Sequence, residues 1–287
     1  MQADVVDGFR NHLLGRGLSP ATAGIYQGHV RRFLAWIEGT YGDCDLAAVT
    51  PLDVADYRRY LLGHKRKPAT VNNALDALSS FFVWAKDAGI VQADPTDGVR
   101  RARQEKGAPR WLTRREVGAL VRAVQKYGGK RDQALVTLLL HTGLRVSEAV
   151  ALRVEDVTIR ERSGHVVVRR GKGDKYREVP LNVTVRRVLQ DWLAAHPGGP
   201  WLFPGRGGAP LTRWAVEKMF ARLGRLAGVD VTPHRLRHTF CKLLLDAGES
   251  LDKVAALAGH GNLNTTARYT RPGVEDLEQA VEKLAWE

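Results

Sequence analysis

Two cysteines, Cys44 and Cys241, are too few and too isolated for a disulfide framework, and neither has a partner at zinc-ligand spacing. That scarcity suits a reducing compartment. No basic-apolar-small leader opens the sequence. The longest apolar stretch, around Ala134 to Leu140, is far short of the ~20 residues that a bilayer span needs. Internal repeats and low-complexity tracts are also missing. These absences exclude a disulfide scaffold, a membrane-spanning protein and a repeat array. They predict a soluble, cytoplasmic, globular protein with no membrane partner.

Acidic residues are in short supply too. The net charge is +13, and it is unevenly placed: residues 1–100 balance 11 Lys/Arg against 11 Asp/Glu, so the remainder carries the whole excess. A surplus of this size points to a polyanionic partner, nucleic acid first. At 287 residues and 44% hydrophobic content, the chain can bury ordinary cores and suggests two domains.

The first ninety residues read as four helices. Val5 to Leu14 forms the first, stopped by Gly15 and Gly17. Ser19-Pro20 and Thr50-Pro51 each give an N-cap followed by a first-turn proline, and Asp53 completes a capping box with Thr50. Ile25, Val30, Phe33, Leu34 and Ile37 stripe the second helix, and Tyr57, Tyr60 and Leu61 share one side of the third. The fourth runs from about Ala69 to Lys86 and turns Val71, Leu75, Leu78, Phe82 and Val83 inward. Residues 92–110 have no apolar period. They hold two prolines, two glycines and five Lys or Arg residues, the composition of an exposed basic linker.

A capping box from Thr113 to Glu116 opens the next part. One helix runs to Lys126 and another from Arg131 to His141. Val166 to Val168 and Tyr176 to Val179 flank Gly171-Lys172-Gly173-Asp174, a hairpin with a glycine-rich tip. Helices return at about 182–195, 212–226, 234–247 and 250–258. The expected division is a helical domain over 1–91, a linker over 92–110 and a second domain over 111–287. The fold class is mainly α with a small β-hairpin or sheet.

The chemistry gathers in the last quarter. His234 and Arg237 are three apart and share a helix face. A helix ends at Gly259; His260 follows it, and Tyr269 stands nine residues on. Such residues make poor core material but could surround a phosphodiester. A phenol with a pKa near ~10 becomes a useful nucleophile only in a cationic pocket or beside a base. The phosphorane-like transition state calls for guanidinium forks, and the departing alkoxide for a proton. Arg145, at the junction of two helices in Thr142-Gly-Leu-Arg-Val-Ser-Glu148, supplies a second guanidinium, with Glu148 one turn on. Lys172 at the hairpin tip supplies an ammonium. Taken singly, Arg145 with Glu148 reads as a surface ion pair, Lys172 as a solvated turn residue and Tyr269 as a half-buried aromatic. His234 and His238 have a metal pair's spacing but no acidic partner where a zinc protease would have one, so no metal is expected.

Together these stretches resemble the tyrosine recombinase family, most closely its Xer-type members. Leu18-Ser-Pro-Ala-Thr to Trp36 is similar to the start of the family's core-binding, SAM-like domain. Thr142 to Glu148, Gly171 to Leu181, His234-Arg-Leu-Arg237-His-Thr-Phe, and Ala258-Gly-His260 through Tyr269-Thr270 resemble its catalytic motifs in the right order. The resemblance implies a two-domain clamp around double-stranded DNA that recombines specific sites through a 3′-phosphotyrosine and a Holliday junction. It implies a tetramer of protomers, alone or with a paralogous recombinase. It implies that Tyr269 attacks, Arg145 and Arg237 hold the phosphate, Lys172 protonates the leaving 5′ oxygen, His234 assists proton transfer, His260 bonds the phosphate and Glu148 orients its neighbours. Arg100, Arg101, Arg103 and Lys175 are expected on the DNA backbone. No cofactor is implied. The same chemistry without defined sites would be that of a type IB topoisomerase. A catalytically silent DNA-binding protein would lack one of the six active-site residues, and none is missing. Two departures stand out: Ala258 where relatives often have leucine, and Arg-Pro-Gly after Thr270. Val274, Leu277, Val281 and Leu284 still form an apolar stripe, suited to a final helix that docks on a neighbouring protomer.

Overall fold

A computed structural model describes residues 2–43, 45–104, 110–169, 176–260, 263–267 and 281–282. The chain falls into two compact units, Met1–Lys106 and Gly107–Glu287.

In the first unit the local start signals set the helices. Four form: α1 (Gln2–Gly15), α2 (Pro20–Tyr41), α3 (Pro51–Gly63) and α4 (Pro68–Asp87). Ser19 accepts a hydrogen bond from the Thr22 amide, and Thr50 and Asp53 cap each other's backbone amides. The last three helices each place proline in the first turn, where its missing N–H has no intrahelical partner to lose. Phe9, Phe33, Tyr57, Phe81 and Phe82 fill the core. Phe9–Phe81, Phe33–Phe82 and Phe33–Tyr57 meet edge to face at 5.1–6.1 Å, the arrangement that aromatic quadrupoles favour.

Three stripe positions differ from the sequence expectation. Ile25, Tyr60 and Val83 are exposed. On α4 the buried set is Val71, Ala74, Leu75, Ala77, Leu78, Phe81, Phe82 and Ala85. Phe81 continues the three-four spacing from Leu78, whereas Val83 lies about 100° past Phe82 and turns to solvent. The first part of the 92–110 stretch is fastened to this unit. The Asn72 amide donates to the Ala102 carbonyl at 3.0 Å and accepts from its N–H at 2.8 Å, while Val99 packs on the core.

The second unit is built around a helix buried nearly all the way round. After α5 (Arg114–Tyr127), α6 (Lys130–Thr142) buries Ala134, Leu135, Val136, Leu138, Leu139 and Leu140, the signature of a central helix. The short α7 (Val146–Val150) follows. A three-stranded antiparallel sheet comes next, β1 (Val157–Ile159), β2 (Gly164–Val168) and β3 (Arg177–Pro180), in that order. The register pairs Val157 with Val166, Val166 with Val179, and Val168 with Arg177. Then come α8 (Val183–Leu193), α9 (Arg213–Ala227), α10 (Pro233–Asp246), α11 (Leu251–Ala258) and α12 (Leu263–Ala267). α6 packs on α8 and α10, which brings the end of α6 beside the start of α10. The molecule is mainly helical, and no described helix is long and apolar enough to cross a membrane.

Candidate active site

The ends of helices, not their middles, build the site. α6 stops at Gly143, whose φ of 62° and ψ of 18° place it in the left-handed region, with its N–H on the Leu139 carbonyl. Two residues later Arg145 is the extended N-cap of α7. Its own N–H donates to Glu148 Oε2 at 2.8 Å, and its Nη1 donates to Glu148 Oε1 at 2.8 Å. The five-residue α7 thus exists largely to hold one carboxylate under one guanidinium. Arg145 Nη2 donates in turn to the Gly259 carbonyl at 3.0 Å.

Arg237 comes from α10, which Thr232 caps and Pro233 starts. Its side chain is buried, and Nη1 donates to the Gly143 carbonyl at 2.6 Å. His234, one turn earlier, is exposed, and its ring meets that of His238 edge to face at 4.1 Å. His260 follows the left-handed Gly259 that ends α11, and its N–H closes on the Ala255 carbonyl. Its Nδ1 lies 2.8 Å from the hydroxyl of the fully buried Thr266. Arg145, His234, Arg237 and His260 line one cleft of about 740 Å³, floored in part by Phe220 and Val231.

Arg145, Arg213 and Arg237 line the cleft beside Glu217 and Asp230, and the arginines set the charge states of their neighbours. Burial by itself would raise the Glu148 pKa. Hydrogen bonds from Arg177 and from the Arg145 backbone more than offset that, so the carboxyl lies below its ordinary range and stays ionised. His260 is brought down to about 4, first by burial and then by the positive charges of Arg237, Arg145 and Arg177. Near neutral pH its ring is therefore uncharged. A Thr266 hydroxyl that donates to Nδ1 leaves the ring proton on Nε2. Such a cleft is complementary to a tetrahedral anion whose oxygens accept from guanidinium forks.

Of the residues singled out in the sequence, Arg145, Glu148, His234, Arg237 and His260 come together here. Lys172, Lys175 and Tyr269 lie outside the described residues. Of the final apolar stripe only Val281 is described, and it is exposed. Arg100, Arg101 and Arg103 belong to the first unit, where Arg100 and Arg103 are exposed and Arg101 pairs with Asp76. Two neighbours were not foreseen. Arg177 shares the buried parity of Val179 on β3, and an arginine on a strand's inward face was the available signal. Thr266 carried none, because its contact with His260 depends on how α12 folds back.

Gly143 is where backbone and site meet. A Cβ there would stand 2.3 Å from the Phe240 ring at a φ that side chains rarely adopt. Gly143→Ala is expected to destabilise the protein by on the order of 2 kcal/mol or more, from left-handed strain and overpacking together. Chemical denaturation checks this, and an unchanged midpoint would contradict the tight fit.

Residues 110–275 match the phage integrase family, and residues 6–89 match the phage integrase N-terminal SAM-like domain. The TnP I resolvase of Bacillus thuringiensis is 30% identical over 98% of this chain and 100% of its own. Tyrosine recombinase XerA of Thermococcus kodakarensis is 34% identical over 98% of this chain and 95% of its own. Among solved structures, XerH site-specific recombinase bound to palindromic difH substrate superposes with a TM-score of 0.78. It is 24% identical and is matched over 93% of this chain and 81% of that one, a likeness of fold.

Proposed function

The chain belongs to the phage integrase family, that of the tyrosine recombinases, and from that premise we propose how its residues divide the work of breaking and rejoining duplex DNA at specific sites. Tyr269 attacks the scissile phosphorus. A phosphate–tyrosine ester forms on the 3′ side and the bond to the 5′ oxygen breaks. Arg145 and Arg237 hold the non-bridging oxygens, where charge accumulates in the transition state. Neutral His260, with its proton on Nε2, donates a further hydrogen bond to the same group. His234, exposed at the head of α10, assists the proton leaving Tyr269. Lys172 gives a proton to the departing 5′ oxygen. Glu148 fixes Arg145 from below.

The reverse attack, by a 5′ hydroxyl from another duplex, restores the phosphodiester and frees the tyrosine. Bond energy stays in the ester, so exchange needs no nucleotide hydrolysis. Two such exchanges in a synapse of four protomers pass through a Holliday junction. Arg100, Arg101, Arg103 and Lys175 serve as backbone contacts, and affinity should fall steeply with salt as counterions are released. The biological task is resolution of chromosome or plasmid dimers, or movement of a mobile element, in the cytoplasm.

The observation that carries this reading is the convergence of Arg145, Arg237, His234 and His260 on one cleft, drawn from segments far apart in sequence. The test is capture of the covalent protein–DNA adduct across genomic DNA. Adducts at discrete sites, and product only from DNA carrying paired copies of them, are expected. Relaxation of any supercoiled plasmid would instead make this a topoisomerase, and gel shifts without an adduct would make it a silent DNA-binding protein.

A further inference from the structure

Beside the cleft stands a guanidinium to which the scheme above gives no task. Arg177 opens β3 and turns inward, its side chain only 13% exposed. It grips Glu148 with both ends of its fork, Nη1 to Oε1 at 3.1 Å and Nη2 to Oε2 at 2.7 Å. The same carboxylate already accepts two hydrogen bonds from Arg145. One buried anion therefore serves two arginines. Gly259 touches both of them. Its carbonyl accepts from Arg145, and a Cβ on it would come within 2.8 Å of the Arg177 guanidinium carbon.

Stability is a poor explanation for this arrangement. Buried ion pairs often stabilise no more than apolar residues of similar volume, since desolvation offsets the attraction. Electrostatics toward a bound anion explains it better. If Glu148 faced Arg145 alone, its charge would cancel the one Arg145 presents to the cleft. With Arg177 as a second counter-ion, two guanidinium charges share the one carboxylate, and a net positive charge is left to meet a phosphate. The contact also ties β3 to the arginine site, and β3 is the strand that follows Lys172 in the sequence.

We infer that Arg177 is a positioning residue for phosphoryl transfer: as the bidentate counter-ion of Glu148 it frees the charge of Arg145 for the phosphate and anchors the hairpin strand to the cleft. This rests on the recombinase reading above. Arg177 never touches the reacting atoms. It acts through Glu148.

The experiment compares wild type, Arg177→Lys, Arg177→Gln, Glu148→Gln and the Arg177→Gln/Glu148→Gln double variant. Each is assayed for adduct formation on a nicked duplex, for duplex affinity and for thermal unfolding. Arg177→Gln is expected to slow adduct formation by roughly 10–100-fold, the usual scale for a group that orients a working side chain, with duplex affinity nearly unchanged. Arg177→Lys should recover most of the rate, because it keeps the charge. The double variant should cleave faster than Arg177→Gln alone, since the uncompensated carboxylate is gone. In Arg177→Gln the His260 ring should also titrate above its wild-type value of about 4, having lost a positive neighbour. A merely structural role would move neither the double-variant rescue nor that titration.

Wild-type cleavage by Arg177→Gln would overturn the inference, as would purely additive losses in the double variant. Should Arg177→Gln fail to fold, Arg177→Lys and the double variant decide the matter: equal damage in both, against an active wild type, rejects it. A wild-type protein that forms no adduct on any DNA would overturn the recombinase reading itself, a result distinct from all of these.

Discussion

Tyr269→Phe should eliminate the SDS-resistant protein–DNA adduct while the protein still shifts duplex DNA in a gel. The substitution removes one oxygen and leaves the ring, so shape and packing are preserved. That oxygen is the only atom in the scheme able to form the ester. A phenol is about a thousandth ionised at pH 7, so in the proposed scheme its reactivity depends on the cations held around the phosphate. Without the oxygen, those cations still bind phosphate but have no nucleophile to assist. The loss should be at least about 10⁴ in adduct formation, the scale seen when other covalent enzymes lose their nucleophile. Duplex affinity, set by phosphate contacts spread along the backbone, should stay within about twofold. Adduct yield on a nicked duplex, read beside gel-shift titration at fixed salt, measures both quantities. An adduct of undiminished yield in Tyr269→Phe would move the nucleophile elsewhere.

Tyr269 is nominated by the whole set of motifs and not by its own surroundings, whereas much of the helical frame is legible because its evidence is local. Ser19-Pro20, Thr50-Pro51 and Thr113 to Glu116 announce their helices because capping is decided within four residues. His234 and Arg237 are one turn apart, so their shared face follows from helix geometry alone. Arg177 and its partner Glu148 are 29 residues apart, and Arg237 and the Gly143 carbonyl are 94 apart. No periodicity connects such pairs. Tertiary packing does, through α6 lying against α10 and β3 lying beside α7. Val83 shows the opposite limit. It is apolar and adjacent to a core phenylalanine, yet which of Phe81 and Val83 faces inward turns on the aromatic cluster around Phe9. β1, three half-buried residues, is too short for its own pattern and is recognisable only by its pairing with β2.

Arg237→Ala should have the second largest effect, and it separates chemistry from folding. Arg237 is 4% exposed and donates to the carbonyl of the residue that ends α6. Truncation leaves that carbonyl with one donor fewer, at a cost of roughly 1–3 kcal/mol. For a unit of this size that corresponds to a fall in melting temperature of about 2–12 °C. The rate should fall further than stability predicts. Losing one preorganised donor to a developing oxyanion costs about 10²–10³ in the chemical step, whereas ground-state DNA loses a single phosphate contact among many. Assays well below the melting temperature should therefore show adduct formation collapsing at nearly constant duplex affinity. Arg237→Lys should fall between wild type and alanine, because it keeps a point charge but cannot present two parallel N–H groups while reaching Gly143. Alanine that cleaves as fast as wild type would leave Arg237 as a brace for the end of α6, and the phosphate would then have to be held by Arg145 and His260 alone.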